Sequence, residues 1–373
     1  MLFQEVIGQE DVKFMLKKAV EAHRVPHALL FSGPVGCGKL AMAVAFANYL
    51  LCQHREGGDS CGCCPSCKQI AKFSHPDMHF SFPVVKKSSS PPICDDFLLE
   101  WRSLLSSSLY FGLDDWMARI GCDNKQVFIS EAEGDNIIDK LSVSSYEGGY
   151  KVMIIWLPEK MRLEAANNLL KTLEEPTEGT VFILVSEDTN SILPTILSRT
   201  QNIIFRPLSS TVITEALVNH NGLDRQMALQ IARISGGSYL KALQLINIGD
   251  NSTKFFEYFM SLMRLAYSRN LAELRLWSEK IVEEGRERQK AFLAYCQNLL
   301  RENFIYNFRH SELNFMSEEE SSFSMKFARF INERNVWGFM DEFSHAQRDI
   351  EQNVNSRIVL FNLALQSIIL IRR

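Results

Sequence analysis

HALLFSGPVGCGKLAMAVAFANYLLC, residues 27–52, reads as a short apolar strand, a glycine-rich turn and a helix. From Gly33 the turn spells G-P-V-G-C-G-K. Its glycines let backbone N–H groups turn inward around phosphate oxygens at the positive end of the following helix. Gly33, Gly36, Cys37, Gly38 and Lys39 are therefore the candidate phosphate contacts, with Lys39 reaching the outer phosphates. Leu40 stands where a Ser or Thr hydroxyl would ligate Mg²⁺.

Hydrolysis also needs acidic groups at the end of a neighbouring strand, to hold the metal and orient water. The candidate strand KVMIIW runs instead into Trp156, Leu157 and Pro158, and Glu159 comes only after the proline. Two independent parts of a magnesium site are missing. The loop reads as kept for shape rather than for turnover.

A chain of 373 residues is too long for one ordinary core, so two or three domains are expected. Hydrophobic residues at 46% and charged residues at 23% are typical of a globular protein. A net charge of −4 argues against a nucleic-acid binder held by bulk positive charge. No apolar run is long enough to span a bilayer, and MLFQEVIGQEDVKFMLKKAV lacks the layout of a signal peptide. The expected location is cytoplasmic, with no membrane partner.

Five of the nine cysteines fall in LCQHREGGDSCGCCPSC, residues 51–67. In a reducing compartment such a cluster reads as a metal site rather than a disulfide framework. Cys52, Cys61, Cys64 and Cys67 supply four thiolates from one helix end and one tight loop, the closed set that structural zinc wants. Cys63 is surplus, and His54 could replace Cys52. Cys94, Cys122 and Cys296 read as small core residues, as Cys37 does apart from its place in the loop.

All eleven prolines lie between Pro26 and Pro207. From residue 208 onward the sequence is a series of amphipathic stretches such as RQMALQIARISG and KFFEYFMSLMRLAYS, with apolar residues three and four apart. Before it, HALLFS, DMHFSFPV, QVFIS, YKVMIIW, TVFILVS and QNIIF read as strands separated by helices, the alternation of a parallel sheet covered on both faces. A segment from about 83 to 124 carries Trp101, Tyr110, Phe111 and Trp116 and reads as a helical hairpin packed on that sheet. The acidic patch within LRENFIYNFRHSELNFMSEEESSF reads as a solvated interhelix loop.

NNLLKTLEEPTEGTVFILVS, ILPTILSRT, HRVPHALLFSGPVGCGK, the four-cysteine module, HPD at 75–77, SYEGGYKVMII and GGSYLKALQL together resemble the bacterial clamp-loader subunits of DNA polymerase III, within the AAA+ ATPases. The likeness covers most of residues 1–250. It implies an AAA+ nucleotide-fold domain over 1–207 with a zinc module at 52–67, a helical lid over 208–250 and an all-helical collar domain over 251–373. Leu40, Trp156, Leu157 and Leu240 (at the lid-arginine position of the active type) fall on the side of the delta-prime type, which lacks a working ATPase site. Segment 83–124 is longer than the family pattern.

The resemblance further implies a role for Arg199 in SRT, residues 198–200: an arginine reaching the ATP site of the adjacent subunit. From base rates alone Arg199 would be a helix-end charge or a surface pair. The implied partners are sister subunits of the gamma/tau and delta types, the sliding clamp, and primed DNA within the assembled complex. The implied enzyme role is that of a holoenzyme subunit without ATPase activity of its own, with ATP or ADP binding at Lys39 left open. Two alternatives stand beside it: an active gamma/tau-type ATPase subunit, and a stand-alone nucleotide kinase or repair ATPase.

Overall fold

Among the described residues seven strands form: β1 (Ala28–Ser32), β2 (Arg55–Glu56), β3 (Asp59–Ser60), β4 (Met78–Ser81), β5 (Lys151–Trp156), β6 (Thr180–Ser186) and β7 (Gln201–Ile204). The computed structural model describes residues 1–86, 91–122, 126–146, 149–249, 252–307, 318–352 and 354–372. Five strands make one parallel sheet in the order β4-β5-β6-β1-β7, and β2 pairs with β3 in a small antiparallel ladder.

Every residue of β1, β5 and β6 is buried, as expected of parallel strands covered on both faces. Side chains alternate between two cores. Leu29, Phe31, Val152, Ile154, Trp156, Val181, Ile183 and Val185 point to one face. Ala28, Leu30, Met153, Ile155, Phe182 and Leu184 point to the other.

The helices before the lid segment are α1 (Glu10–Glu21), α2 (Lys39–Leu51), α3 (Pro65–Ala71), α4 (Leu98–Ser107), α5 (Leu113–Arg119), α6 (Glu131–Ser142), α7 (Leu163–Glu174) and α8 (Pro194–Leu197). All residues of α2 are buried, which its apolar sequence permits on every side. Helices α4 and α5 cover the first core, where Trp101 stacks on Phe82 at 4.1 Å and meets Trp116 edge-on at 5.2 Å.

QVFIS is not a strand. Its residues make only isolated bridges, Val84 with Phe128 and Ile129 with Met161. Ile129 is apolar because it is packed in the core, and apolar content alone does not separate a buried connector from a strand.

Helices α9 (Ser210–Asn221), α10 (Arg225–Ile234) and α11 (Tyr239–Gly249) follow the sheet. Ser209 and Asp224 cap α9 and α10 through their side chains, and Gly222 ends α9 at φ 66°. The chain divides into two units, Met1–Leu243 and Gln244–Arg373. The second holds α12 (Ser252–Ser268), α13 (Leu271–Val282), α14 (Arg286–Tyr306), α15 (Glu318–Phe327), α16 (Val336–Glu351) and α17 (Ser356–Leu370) around its own core of Phe259, Leu262, Phe292, Phe339, Phe343 and Leu360.

Residues 308–317 of the acidic patch lie outside the described residues. The glutamates that follow are not loop but the first turn of α15. Acidic groups there suit the helix dipole, and Phe323 stacks on Phe327 one turn later at 4.8 Å.

Candidate functional site

The glycine loop leaves β1 at Ser32 and enters α2 at Lys39, at the carboxyl end of the sheet. Gly36 and Gly38 take φ of 77° and 95°, so only glycine fits both positions without strain. The Lys39 ammonium is turned back onto its own loop. It donates to the carbonyls of Gly33 at 2.7 Å and Pro34 at 2.6 Å, and its side chain is buried. Burial pushes this ammonium below the ordinary lysine value, opposed by its neighbours Cys37, Glu187 and Glu159. Cys37 donates its thiol to Pro34 at 3.0 Å.

Each position that should hold magnesium is apolar and buried. Leu40 belongs to the core beneath α2. Trp156 packs on Trp101 at 5.3 Å and Phe111 at 5.2 Å. Leu157 is 2% exposed in a left-handed conformation. Two acids nevertheless stand near the loop. Glu159 accepts from the amides of Glu187 at 2.9 Å and Asp188 at 3.3 Å, so one carboxylate oxygen caps the end of β6. Burial raises the Glu187 carboxyl above the ordinary range, with Lys39 drawing it down and Glu159 pushing it up.

Three further side chains close around the loop. Gln9 donates from its amide to the carbonyls of Cys37 at 3.2 Å and Arg206 at 2.7 Å. Tyr110, from segment 83–124, accepts the Ile7 amide on its hydroxyl at 2.9 Å and packs edge-on against Tyr239 at 5.0 Å. The Tyr239 amide donates to the Gly36 carbonyl at 3.0 Å. Leu240 is buried, while Lys241 is exposed.

Arg199 follows the one-turn helix α8 and keeps 31% of its side chain exposed. Its Nε donates to Glu174 Oε1 at 2.7 Å, its Nη2 donates to the same oxygen, and Nη1 donates to the Thr195 carbonyl at 2.8 Å. The guanidinium thus lies partly exposed, paired with one carboxylate and held to the Thr195 carbonyl of α8.

The four expected cysteines converge. The sulfurs of Cys52, Cys61, Cys64 and Cys67 lie within 4.8 Å of one another. Cys52 and Cys61 are 3.6 Å apart, and Cys61 and Cys67 3.9 Å. Zinc–sulfur bonds of about 2.3 Å in a tetrahedron put sulfurs about 3.8 Å apart, so the set fits that ion. Amides of Cys61, Cys64 and Cys67 point at sulfurs of Cys52, Cys61 and Cys64 at 3.3, 3.4 and 3.4 Å. The Cys63 and Cys64 amides hold the Cys61 thiol down to about 6. Cys63 and His54 are exposed and stand outside the set.

The module is tied to the sheet. Ser66 donates to the Leu51 carbonyl at 2.8 Å and meets His75 Nε2 at 2.7 Å. His75 Nδ1 accepts the Asp77 amide at 3.0 Å, which leaves the ring hydrogen on Nε2, facing Ser66.

Gln9, Glu187 and Tyr239 escaped the sequence reading, which placed Tyr110 in the hairpin on the sheet and not at the loop. For Glu187 a signal existed: it directly follows the strand TVFILVS, at the sheet's functional edge. No helix among the described residues is long and apolar enough to cross a membrane.

A family model described as DNA polymerase III, delta subunit matches residues 8–209. The DNA polymerase III subunit delta' of Bacillus subtilis (strain 168) is 29% identical over 214 residues, 57% of this chain and 52% of that one. The subunit delta' of Yersinia pestis is 34% identical over 175 residues, 46% of this chain and 39% of that one. The subunit gamma/tau of Mycobacterium tuberculosis (strain ATCC 25618 / H37Rv) is 28% identical over 250 residues, 66% of this chain and 36% of that one. The chain thus spans between about a third and a half of the length of these relatives.

Proposed function

The chain belongs to the family described as DNA polymerase III, delta subunit, and from that membership we propose that it is a clamp-loader subunit of the delta-prime type. It helps assemble the loader with gamma/tau- and delta-type sisters and takes part in ATP-dependent loading of a sliding clamp onto primed DNA in the cytoplasm. One observation carries the subtype: Leu40, Trp156 and Leu157, where magnesium and water would be held, are all apolar and buried. The loop itself keeps the backbone shape of a phosphate site. Residues 1–207, 208–250 and 251–373 serve as nucleotide-fold, lid and collar domains.

Arg199 acts in trans on a nucleotide bound by a neighbour. Its partly exposed place after α8 supports this reading, because its one charged partner is a solvent-facing carboxylate and its other contacts are to the neighbouring Thr195 carbonyl and Ser198 hydroxyl. An exposed pair of this kind is worth about 0–1 kcal/mol, so a phosphate can replace Glu174 at little cost. Arginine suits the task because its planar fork stays charged and matches phosphate oxygens. Cys52, Cys61, Cys64 and Cys67 hold one structural zinc, which would clamp the end of α2 to α3 and leave no open position for a substrate.

The purified chain should show no Mg²⁺-dependent ATP turnover, and a reconstituted loader lacking it should load clamps poorly. Turnover by the chain alone, abolished by Lys39→Ala, would place it instead with the active gamma/tau-type subunits.

A further inference from the structure

We infer that the phosphate loop is a cryptic nucleoside-phosphate site which the chain's own Tyr110, backed by residues 238–240, keeps shut. The inference rests on reading residues 33–39 as a phosphate loop, and it adds an occupant for the space in front of that loop.

Tyr110 lies against the start of α2. A Cβ built on Gly38 would sit 3.4 Å from the Tyr110 hydroxyl and 3.5 Å from its ring, so the phenol rests directly on the helix N-terminus. That end of a helix, with its free amides, is where a phosphate would be held. The hydroxyl is fixed by the Ile7 amide at 2.9 Å, and burial pushes its ionisation well above the ordinary tyrosine value. Ser108 pins the backbone beneath it by accepting the Tyr110 amide at 2.9 Å.

The apex of the loop is covered from a second side. A Cβ on Gly36 would come within 2.2 Å of Ser238 Oγ and 2.8 Å of Leu240 Cβ. Tyr239 ties the two covers together: its amide holds the Gly36 carbonyl, its ring meets Tyr110, and its hydroxyl donates to Asn221 at 3.0 Å. Leu240 also touches Gly112, two residues beyond Tyr110, where a Cβ would lie 3.4 Å from its Cδ2. A ligand phosphate and this tyrosine cannot share the site. Tyr110, from segment 83–124, therefore supplies the plug.

The test uses the full chain and a fluorescent ADP analogue, with binding and turnover measured separately. Tyr110→Ala, and Tyr110→Ala with Tyr239→Ala, should bind the analogue at least about tenfold more tightly than wild type. Adding Lys39→Ala should abolish that gain. The opened variants should still not hydrolyse ATP, since Leu40, Trp156 and Leu157 are unchanged. Wild type should nitrate readily at Tyr146, which is 78% exposed, and much more slowly at Tyr110. Wild-type binding equal to that of the variants, or no gain in variants whose circular dichroism is native, overturns the plug while leaving the proposed function intact. Nitration of Tyr110 as fast as that of Tyr146 overturns it without any variant. Turnover by wild type would instead strike the proposed function.

Discussion

Lys39 donates its buried ammonium to the carbonyl of Gly33, 2.7 Å away, across the loop that both residues shape. The lysine completes its own loop rather than waiting in solvent. Combined with the buried apolar side chains of Leu40, Trp156 and Leu157, this supports the reading of a phosphate loop kept for shape rather than turnover.

Restoring one missing ligand should not restore catalysis. Leu40→Thr supplies the hydroxyl but leaves Trp156 and Leu157, and phosphoryl transfer depends on a correctly held metal. The variant is expected to show no turnover and to lose stability, because Leu40 is 5% exposed in the main core. Trimming a buried leucine to alanine costs about 2–5 kcal/mol, and threonine, which adds a hydroxyl to an apolar site, should cost a similar amount. A colorimetric phosphate assay and urea unfolding read both effects. Turnover in this single variant would show that Glu159 or Glu187 can hold a metal.

Protein purified without added metal should contain one zinc per chain, and Cys64→Ser should lose it. Cys64 also caps α3 by accepting the Cys67 amide, a role serine can keep, so the variant removes the metal ligand and leaves the cap. The expected result is a lower melting temperature together with the lost zinc. Unchanged zinc content in the variant would remove Cys64 from the site.

His75→Phe should weaken the link between the cysteine module and β4 without touching the sulfurs. The ring is 3% exposed and bridges Ser66 to the Asp77 amide. Leaving a buried donor short of a partner costs about 1–3 kcal/mol. Denaturation should show that loss with zinc content retained. Loss of zinc as well would mean that His75 supports the metal site directly.

Glu133 predicts a pH dependence. It is fully buried; its Oε2 accepts the Cys94 amide at 2.8 Å, and its Oε1 has no hydrogen-bond partner among the described residues. Burial raises its carboxyl above the ordinary 4.5. A raised folded-state value favours the protonated form, so the stabilisation is complete below the unfolded value and is lost as pH rises through the folded one. Glu133→Gln keeps an acceptor for Cys94 and carries no charge. It should be more stable than wild type near neutral pH, with the gain shrinking toward pH 4.5. A variant equally destabilised at both pH values would show that the carboxylate is satisfied as it stands.

The sequence was informative where the chemistry is local. The glycine loop, the four cysteines and the strands HALLFS, KVMIIW and TVFILVS each lie within one short stretch of at most sixteen residues, so spacing and apolar pattern were enough to place them. Contacts between distant segments were not legible. Nothing in SRT announces Glu174, 25 residues earlier, as the partner of Arg199. Tyr110 and Ile7 meet across 103 residues, a contact that forms only once segment 83–124 has packed beside the start of α2. QVFIS misled because burial, which it has, and strand pairing, which it lacks, leave the same apolar trace.

Arg199→Ala in a loader reconstituted with its sister subunits tests whether Arg199 acts on a neighbour's nucleotide. Removing this exposed pair should change the stability of the chain by no more than about 1 kcal/mol. Arginine fingers supplied in trans contribute about 10³ to 10⁵ in rate in GTPases, so the neighbouring site should fail. With assembly confirmed by size, total ATPase should fall in part and clamp loading should fall further. An assembled mutant loader that loads clamps as wild type does would contradict the trans-acting role and leave Arg199 as the surface partner of Glu174.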